Sequence, residues 1–339
     1  MAHEIETTDG LVLHKERAWH GMGVLVEDAP TPREALTLAG IDWGVERRPL
    51  YSKDVNGNEI EITEHVANYR ADNGNLLGIV SSRYQAVENH EVADFCEALQ
   101  LTDEKVHCET AGTIQGGKRM WMLLKGESFD VAHGDTMFPY VLVSNGHDGW
   151  TPFRITPTTV RVVCSNTLHA VIPRAGAETG QLGSSAFVVR HTYHMMDRIE
   201  EARIAMRNFK VAINGTRLVA ETLAAKLVGL DDLQAFFAEC YQSEFGLIPT
   251  NPTNKKEEGQ KKRAMDAYSS FTRRFDDEKV IAGTSLWCAF NSMSGTIQHD
   301  KKSRGQDDAN RVISRVNSNL FGLSQKRTQT ALQIAYARL

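Results

Sequence analysis

Cysteine is scarce. The 339 residues hold five, at positions 96, 108, 164, 240 and 288, with no CxxC pair. An odd, widely spaced set excludes a disulfide framework and a cysteine-rich zinc site, and predicts buried free thiols. Long apolar runs are also missing. No stretch approaches the roughly 20 residues that cross a bilayer. The opening MAHEIETTDG lacks the basic-then-apolar order of a secretory signal. These absences together predict a cytoplasmic protein without membrane contact.

Catalytic signatures are missing too. There is no HExxH, no clustered Asp-x-Asp and no GxSxG. The segment GTIQGGKR resembles a phosphate-binding loop, but Arg119 stands where a serine or threonine must follow the lysine, and a strand-like run comes next. No nucleotide cofactor is therefore expected. Among twelve histidines, His191 and His194 are three apart and can share a helix face, yet a tetrahedral zinc needs two further ligands. His147 and Asp148 are adjacent within NGHDGW, where neighbouring side chains point apart. No metal is expected. A metal-dependent nuclease or hydrolase using these four residues remains an alternative reading.

What is present is ordinary globular composition, with 24% charged and 41% hydrophobic residues. The length allows one large core or two modest ones. Net charge is −5, but unevenly spread. Residues 1–150 carry 12 Lys and Arg against 25 Asp and Glu, and residues 151–339 carry 26 against 18. Such asymmetry marks either a polyanion-binding face or acidic and basic surfaces that meet in an oligomer.

The pattern predicts an α+β fold centred on residues 109–172. Met120–Leu124, Pro139–Val143 and Phe153–Val163 are β-rich runs separated by Gly116-Gly117 and by Asn145–Gly149. They read as an antiparallel meander, with a short helix from Cys164 completing a β-β-β-α core. Pro157 argues against a regular third strand. Residues 1–30 read as irregular, extended chain, with AWHGMG suited to turning over another element. Thr31-Pro32 opens a helix with Glu34 closing a capping box. Strands follow between Trp43 and Val80, broken at Asn56-Gly57 and Asp72–Gly74, and then a helix capped by Asn89. Gly176–Ser185 reads as a linker and Ala186–Arg190 as one more strand. Beyond it the chain is mostly helical, with a break expected at Asn214-Gly215 and a polar loop at PTNPTNKKEEGQKKR. Two regions result: an α+β domain, 1–190, and a helical region, 191–339.

Basic residues gather after the meander, nine of them between 151 and 220. Arg203, Arg207 and Lys210 fall at i, i+4 and i+7, one stripe on a helix. Lys118 and Arg119 sit on a hairpin ahead of Trp121. With Arg154, Arg161 and Arg190 they are candidate phosphate contacts. Trp150, Phe187 and Tyr193 are candidate stacking partners for bases. A second, acid-interrupted basic region runs from Lys255 to Lys302.

Several stretches, in this order, carry a family resemblance: AWHGMG, SSRYQAVENHEVADF, ETAGTIQGGKRMW, VLVSNGHDGWTPFRITPTTVRVVCSNTL and QHDKKSRGQDDANRVISRV. Together they resemble the phage/plasmid-like family known as domain of unknown function 932. The family pattern implies a serine-like residue where Gly146 stands and a small one where Trp150 stands. The resemblance implies a role in phages or plasmids. The β-β-β-α core with trailing helices is also similar to phage single-strand annealing proteins of the RecT, Redβ and Erf kind. That likeness implies a ring- or filament-forming homo-oligomer that holds single-stranded DNA in a basic groove without a nucleotide cofactor. The leading expectation is thus a single-stranded-DNA-binding and annealing protein of recombination. Lys118, Arg119, Arg154, Arg161, Arg190, Arg203 and Arg207 would contact DNA. The alternatives are a protein-binding accessory or anti-host factor and the hydrolase above.

Overall fold

The computed structural model describes residues 11–14, 24–26, 28–103, 105–131, 134–161, 167–169, 171–173, 182–184, 187–189, 198–300 and 308–339. In chain order these form β1 (Leu11–His14), β2 (Val24–Val26), α1 (Pro32–Leu38), β3 (Val45–Lys53), β4 (Glu59–Arg70), β5 (Leu76–Ser81) and α2 (Asn89–Thr102). Next come β6 (His107–Ile114), β7 (Arg119–Lys125), β8 (Phe129–Asp130), β9 (Thr136–Gly146), β10 (Phe153–Arg161), β11 (Thr167–His169), β12 (Val171–Pro173), β13 (Leu182–Ser184) and β14 (Phe187–Val189). Helices α3 (Arg198–Ala225), α4 (Leu230–Phe245), α5 (Lys255–Ala282), α6 (Leu286–Gly295), α7 (Asp308–Phe321) and α8 (Leu323–Tyr336) complete the chain, with a π-helical turn, Thr296–Asp300, after α6.

The expected meander is the centre of the main sheet, whose order is β11-β10-β9-β7-β6-β1-β2. Strict alternation sorts its side chains. Ala111, Met120, Met122, Leu124, Val141, Val143, Phe153 and Ile155 share one face. They form a core with Val92, Phe95, Cys96 and Leu99 of α2 and with Met206 and Phe209 of α3. The opposite face holds Arg119, Trp121, Ser144, Arg154 and Thr156. A second core joins Val219 and Leu223 of α3 to Phe236, Phe271, Trp287, Phe290 and Leu332 of the later helices, and takes in Met137 of β9. Helix α3 therefore serves both cores, and the sheet's own core extends past residue 190 to Ile213. The buried Trp287 donates from Nε1 to Asp135 Oδ2 (2.8 Å), tying α6 to the start of β9.

The capping box at Thr31 forms as expected: Thr31 Oγ1 accepts from Glu34 N (3.2 Å) and Glu34 Oε2 from Thr31 N (2.9 Å). Both glycine turns of the β3–β5 sheet are left-handed, Gly57 at φ 87° and Gly74 at φ 72°. Other expectations need correction. Asn214-Gly215 does not end a helix, because the apolar stripe Phe209, Ala212, Ile213, Val219, Ala220, Leu223 continues through it and holds one rod. Residues from Lys255 are helix, not loop: Asn254 Oδ1 caps Glu257 N (3.0 Å), and helix-forming Lys, Glu and Gln follow. Strand β10 pairs with β9 without interruption through Pro157↔Val141. On its other edge β14 covers 153–155 and β11 covers 158–160, so Pro157 falls between them, where its missing N–H breaks no ladder. The short helix expected from Cys164 gives way to strands at 167–169 and 171–173. Within residues 1–30, Leu11–His14 pairs with β6 as sheet. AWHGMG and Cys164 lie outside the described residues, as does most of the Gly176–Ser185 linker, of which 182–184 is β13.

Cys96, Cys108, Cys240 and Cys288 are buried and free. Burial pushes the thiols of Cys96 and Cys240 well up, and that of Cys108 up to about 12. These four are therefore expected to resist a thiol-alkylating reagent at pH 8 in native protein and to label fully in denaturant, as read by peptide mass mapping. Rapid native labelling of any of them contradicts the packing described.

Candidate nucleic-acid interface

The feature best built for contact is the turn joining β9 to β10. Asp148 organises it. Its Oδ1 accepts from Trp150 N (2.9 Å) and Thr151 N (2.8 Å), and its Oδ2 from Thr151 Oγ1 (3.0 Å). Arg119 Nη2 in turn donates to Thr151 Oγ1 (3.1 Å). Three glycines let this turn lie flat on its support. A Cβ on Gly146 would sit 2.2 Å from Thr151 Cβ, one on Gly78 2.6 Å from Asp148 Cα, and one on Gly149 2.8 Å from Val80 Cγ1. Held by these bonds and contacts, the turn leaves Trp150 89% exposed. A large aromatic in solvent on a hydrogen-bonded turn offers a flat face for stacking.

Beneath the turn lies a buried polar layer. His147 is fully buried, its Nε2 2.9 Å from Asn89 Oδ1 and its ring edge-on to Trp43 at 5.5 Å. Asn89 donates to Ile41 O (2.8 Å), Asn68 to His147 O (3.0 Å), and Asn145 to Val87 O (2.8 Å). Tyr84 donates its hydroxyl to Gly146 O (2.9 Å), and burial, with Asp148 adding to it, pushes that phenol up to about 12. These bonds clamp α2, β4, β9 and the segment between β5 and α2 around the turn. Asn89 is thus not the helix cap that its position suggests. Glu88 holds that place, accepting from Val45 N (3.0 Å), which frees Asn89 to reach inward. His147 and Asp148 are both engaged in holding the chain. Among the described residues no group of three His, Cys, Asp or Glu could hold a metal, and no helix is long and apolar enough to cross a membrane.

A family model described as domain of unknown function (DUF932) matches residues 76–320. The chain belongs to that family. No curated protein and no solved structure matches it. The DUF932 match begins at β5 and ends within α7, so it covers the turn with Gly78, Tyr84 and Asn89 and leaves Ile41, Trp43, Asn68 and helix α8 outside. The serine that the family pattern implied at Gly146 cannot enter this chain without displacing Thr151. Gly146→Ser is expected to destabilise the fold by about 1–3 kcal/mol, the usual range for overpacking, read as a lower urea midpoint. An unchanged midpoint contradicts the tight apposition.

The seven basic residues expected at the site divide. Arg119 and Arg154 share the sheet face opposite the α2–α3 core, on the two strands flanking β9. They are close enough that Arg154 helps to lower the Arg119 pKa. Burial is the larger cause and Asp148 opposes both. Arg119 also packs against the Phe321 ring (5.1 Å) where α7 ends. Lys118 borders the same region, its carbonyl accepting from His147 N (2.9 Å). Arg207 is elsewhere: it is exposed on α3, which covers the other sheet face. Arg203 lies on the same helix and Arg161 at a register position opposite Met137. The side chains of both fall outside the described residues, as do Arg190, His191 and His194 altogether. Sequence reading named Trp150 as a stacking candidate but missed Asn68, Asn89 and Tyr84, which hold the turn from far along the chain.

Proposed function

We propose that this DUF932 chain binds single-stranded DNA and promotes its annealing, acting as a homo-oligomer in recombination on a mobile element, without a nucleotide cofactor. One observation carries the reading: a turn bonded through Asp148 leaves Trp150 in solvent, and Arg119, which follows Lys118 and bonds that turn at Thr151, shares a sheet face with Arg154. Single-strand binders combine these two parts, an aromatic face on which any base stacks and cations that follow the phosphates. The fixed turn lowers the entropy lost on binding. Annealing, recombination and the mobile-element setting rest on the resemblance of the sequence motifs. Mixing two complementary oligonucleotides tests them, with chelator present and no nucleotide. Stoichiometric protein should speed duplex formation severalfold over the spontaneous rate. No acceleration at any protein concentration would falsify the annealing role.

A second reading, a protein-binding accessory factor, is favoured by one observation. The outer half of the β3–β4 hairpin exposes Ile60 and Ile62 on one face, the kind of apolar patch that protein contacts use. Retained DNA binding in a variant lacking this patch separates the two.

A further inference from the structure

Strands β3 and β4 run side by side beyond the body of the protein. Strand β5 supports only the inner part, pairing from Tyr69↔Leu76 to His65↔Ser81. Outside that point a large bulge separates Pro49↔Val66 from Leu50↔Ile62, and a two-stranded ribbon continues to Lys53↔Glu59. At roughly 3.4 Å per residue, Leu50 to the Asn56-Gly57 tip projects about 20 Å. Its residues from Tyr51 to His65 are exposed on both faces, apart from half-buried Asp54. The register puts Leu50, Ser52, Ile60 and Ile62 on one face, with Ile60 52% and Ile62 38% exposed. The tip is nonetheless tightly made: Asp54 Oδ1 accepts from Asn56 N and Asn58 N, both at 2.8 Å, and Asp54 N donates to Asn58 O (3.0 Å). A lone two-stranded ribbon is marginal in water, and an exposed apolar one is an association hazard unless something covers it.

We infer that this hairpin is an arm that docks head-to-tail on helix α5 of a second copy of the chain. Charge complementarity identifies the occupant. The outer arm carries Asp54, Glu59, Glu61 and Glu64 against the single Lys53, which disfavours nucleic acid. Helix α5 opens with Lys255, Lys256, Lys261, Lys262 and Arg263 against Glu257, Glu258 and Asp266, and Lys261 Nζ donates to Thr250 O (2.6 Å). Glu257 is already consumed at the cap, accepting from Thr253 N (2.7 Å). On the same helix Met265, three residues on from Lys262, stands 64% exposed, an apolar seat for Ile60 and Ile62. Because arm and α5 are different surfaces, the contact is heterologous. It propagates from copy to copy and generates a ring or a filament. The inference does not depend on DNA binding, since the assembly is read with no DNA present.

Sedimentation velocity on the full chain tests it. Wild type is expected to self-associate, more weakly as salt rises. Ile60→Asp/Ile62→Asp in the arm, and separately Lys262→Glu/Arg263→Glu in α5, should each weaken self-association by about tenfold or more, toward the 37.8 kDa monomer, with unchanged circular dichroism. Mixing the two variants leaves one intact arm and one intact α5 per pair, so a heterodimer that grows no further is expected. A monomeric wild type, assembly unaffected by Ile60→Asp/Ile62→Asp, or a mixture that stays monomeric would each overturn the inference.

Discussion

Trp150→Ala is expected to weaken binding to a single-stranded oligonucleotide by about fivefold to a hundredfold while leaving thermal stability unchanged. Stacking of one base on an aromatic side chain is worth about 1–3 kcal/mol by alanine substitution, and about 1.4 kcal/mol is a factor of ten. The stability half of the expectation follows from exposure: an indole 89% in water supports little of the fold. Its neighbours sharpen the test. Arg154→Ala should weaken binding further and reduce its salt dependence. Arg207→Ala, on the far side of the sheet, should do neither if the turn alone holds the strand. Competition binding measured at fixed salt separates these outcomes. A Trp150→Ala protein that binds like wild type removes the turn from the interface.

The second large effect concerns the layer beneath. His147→Ala is expected to cost about 2–4 kcal/mol of stability, because it opens a cavity against Trp43 and takes away the partner of a buried amide oxygen. Asn89→Ala should cost a comparable amount, since it also strips the donor from Ile41 O. The two side chains bond each other at 2.9 Å, so their effects should not add; a coupling of about 0.5 kcal/mol or more is expected in the double variant. Urea denaturation of the four proteins measures it. Additive effects, or a single loss below about 1 kcal/mol, would show that the layer does not act as a unit. A hydrolase using His147 predicts something different: full stability with lost activity.

Much of the architecture was legible in the sequence because local signals and tertiary packing agreed. The meander's alternating apolar runs, the capping box at Thr31 and the glycine turns at Gly57 and Gly74 each rest on short-range rules. Failures came where a distant partner overrode a local signal. Asn89 looks like a cap, but His147 and Ile41 claim its side chain. Asn214-Gly215 looks like a helix end, but two cores on one side of α3 hold it straight. Pro157 looks like a strand breaker, and only the gap between β14 and β11 makes it harmless. The site followed the same rule. Aromatic and basic residues near the turn could be named from sequence, whereas the division of the arginines between two sheet faces depends on pairing registers.

Titrating the protein with an unlabelled single-stranded oligonucleotide at several salt concentrations, following tryptophan fluorescence, decides whether the turn binds DNA. Trp43, Trp121 and Trp287 are buried, and Trp150 is the exposed one among the described residues. Quenching should therefore occur on binding and be lost in Trp150→Ala. Log affinity should fall with log salt at a slope of about −2, as for three phosphates neutralised by Lys118, Arg119 and Arg154 on a single strand. Absence of binding even at low salt, or binding indifferent to both salt and Trp150, would contradict DNA binding by the turn.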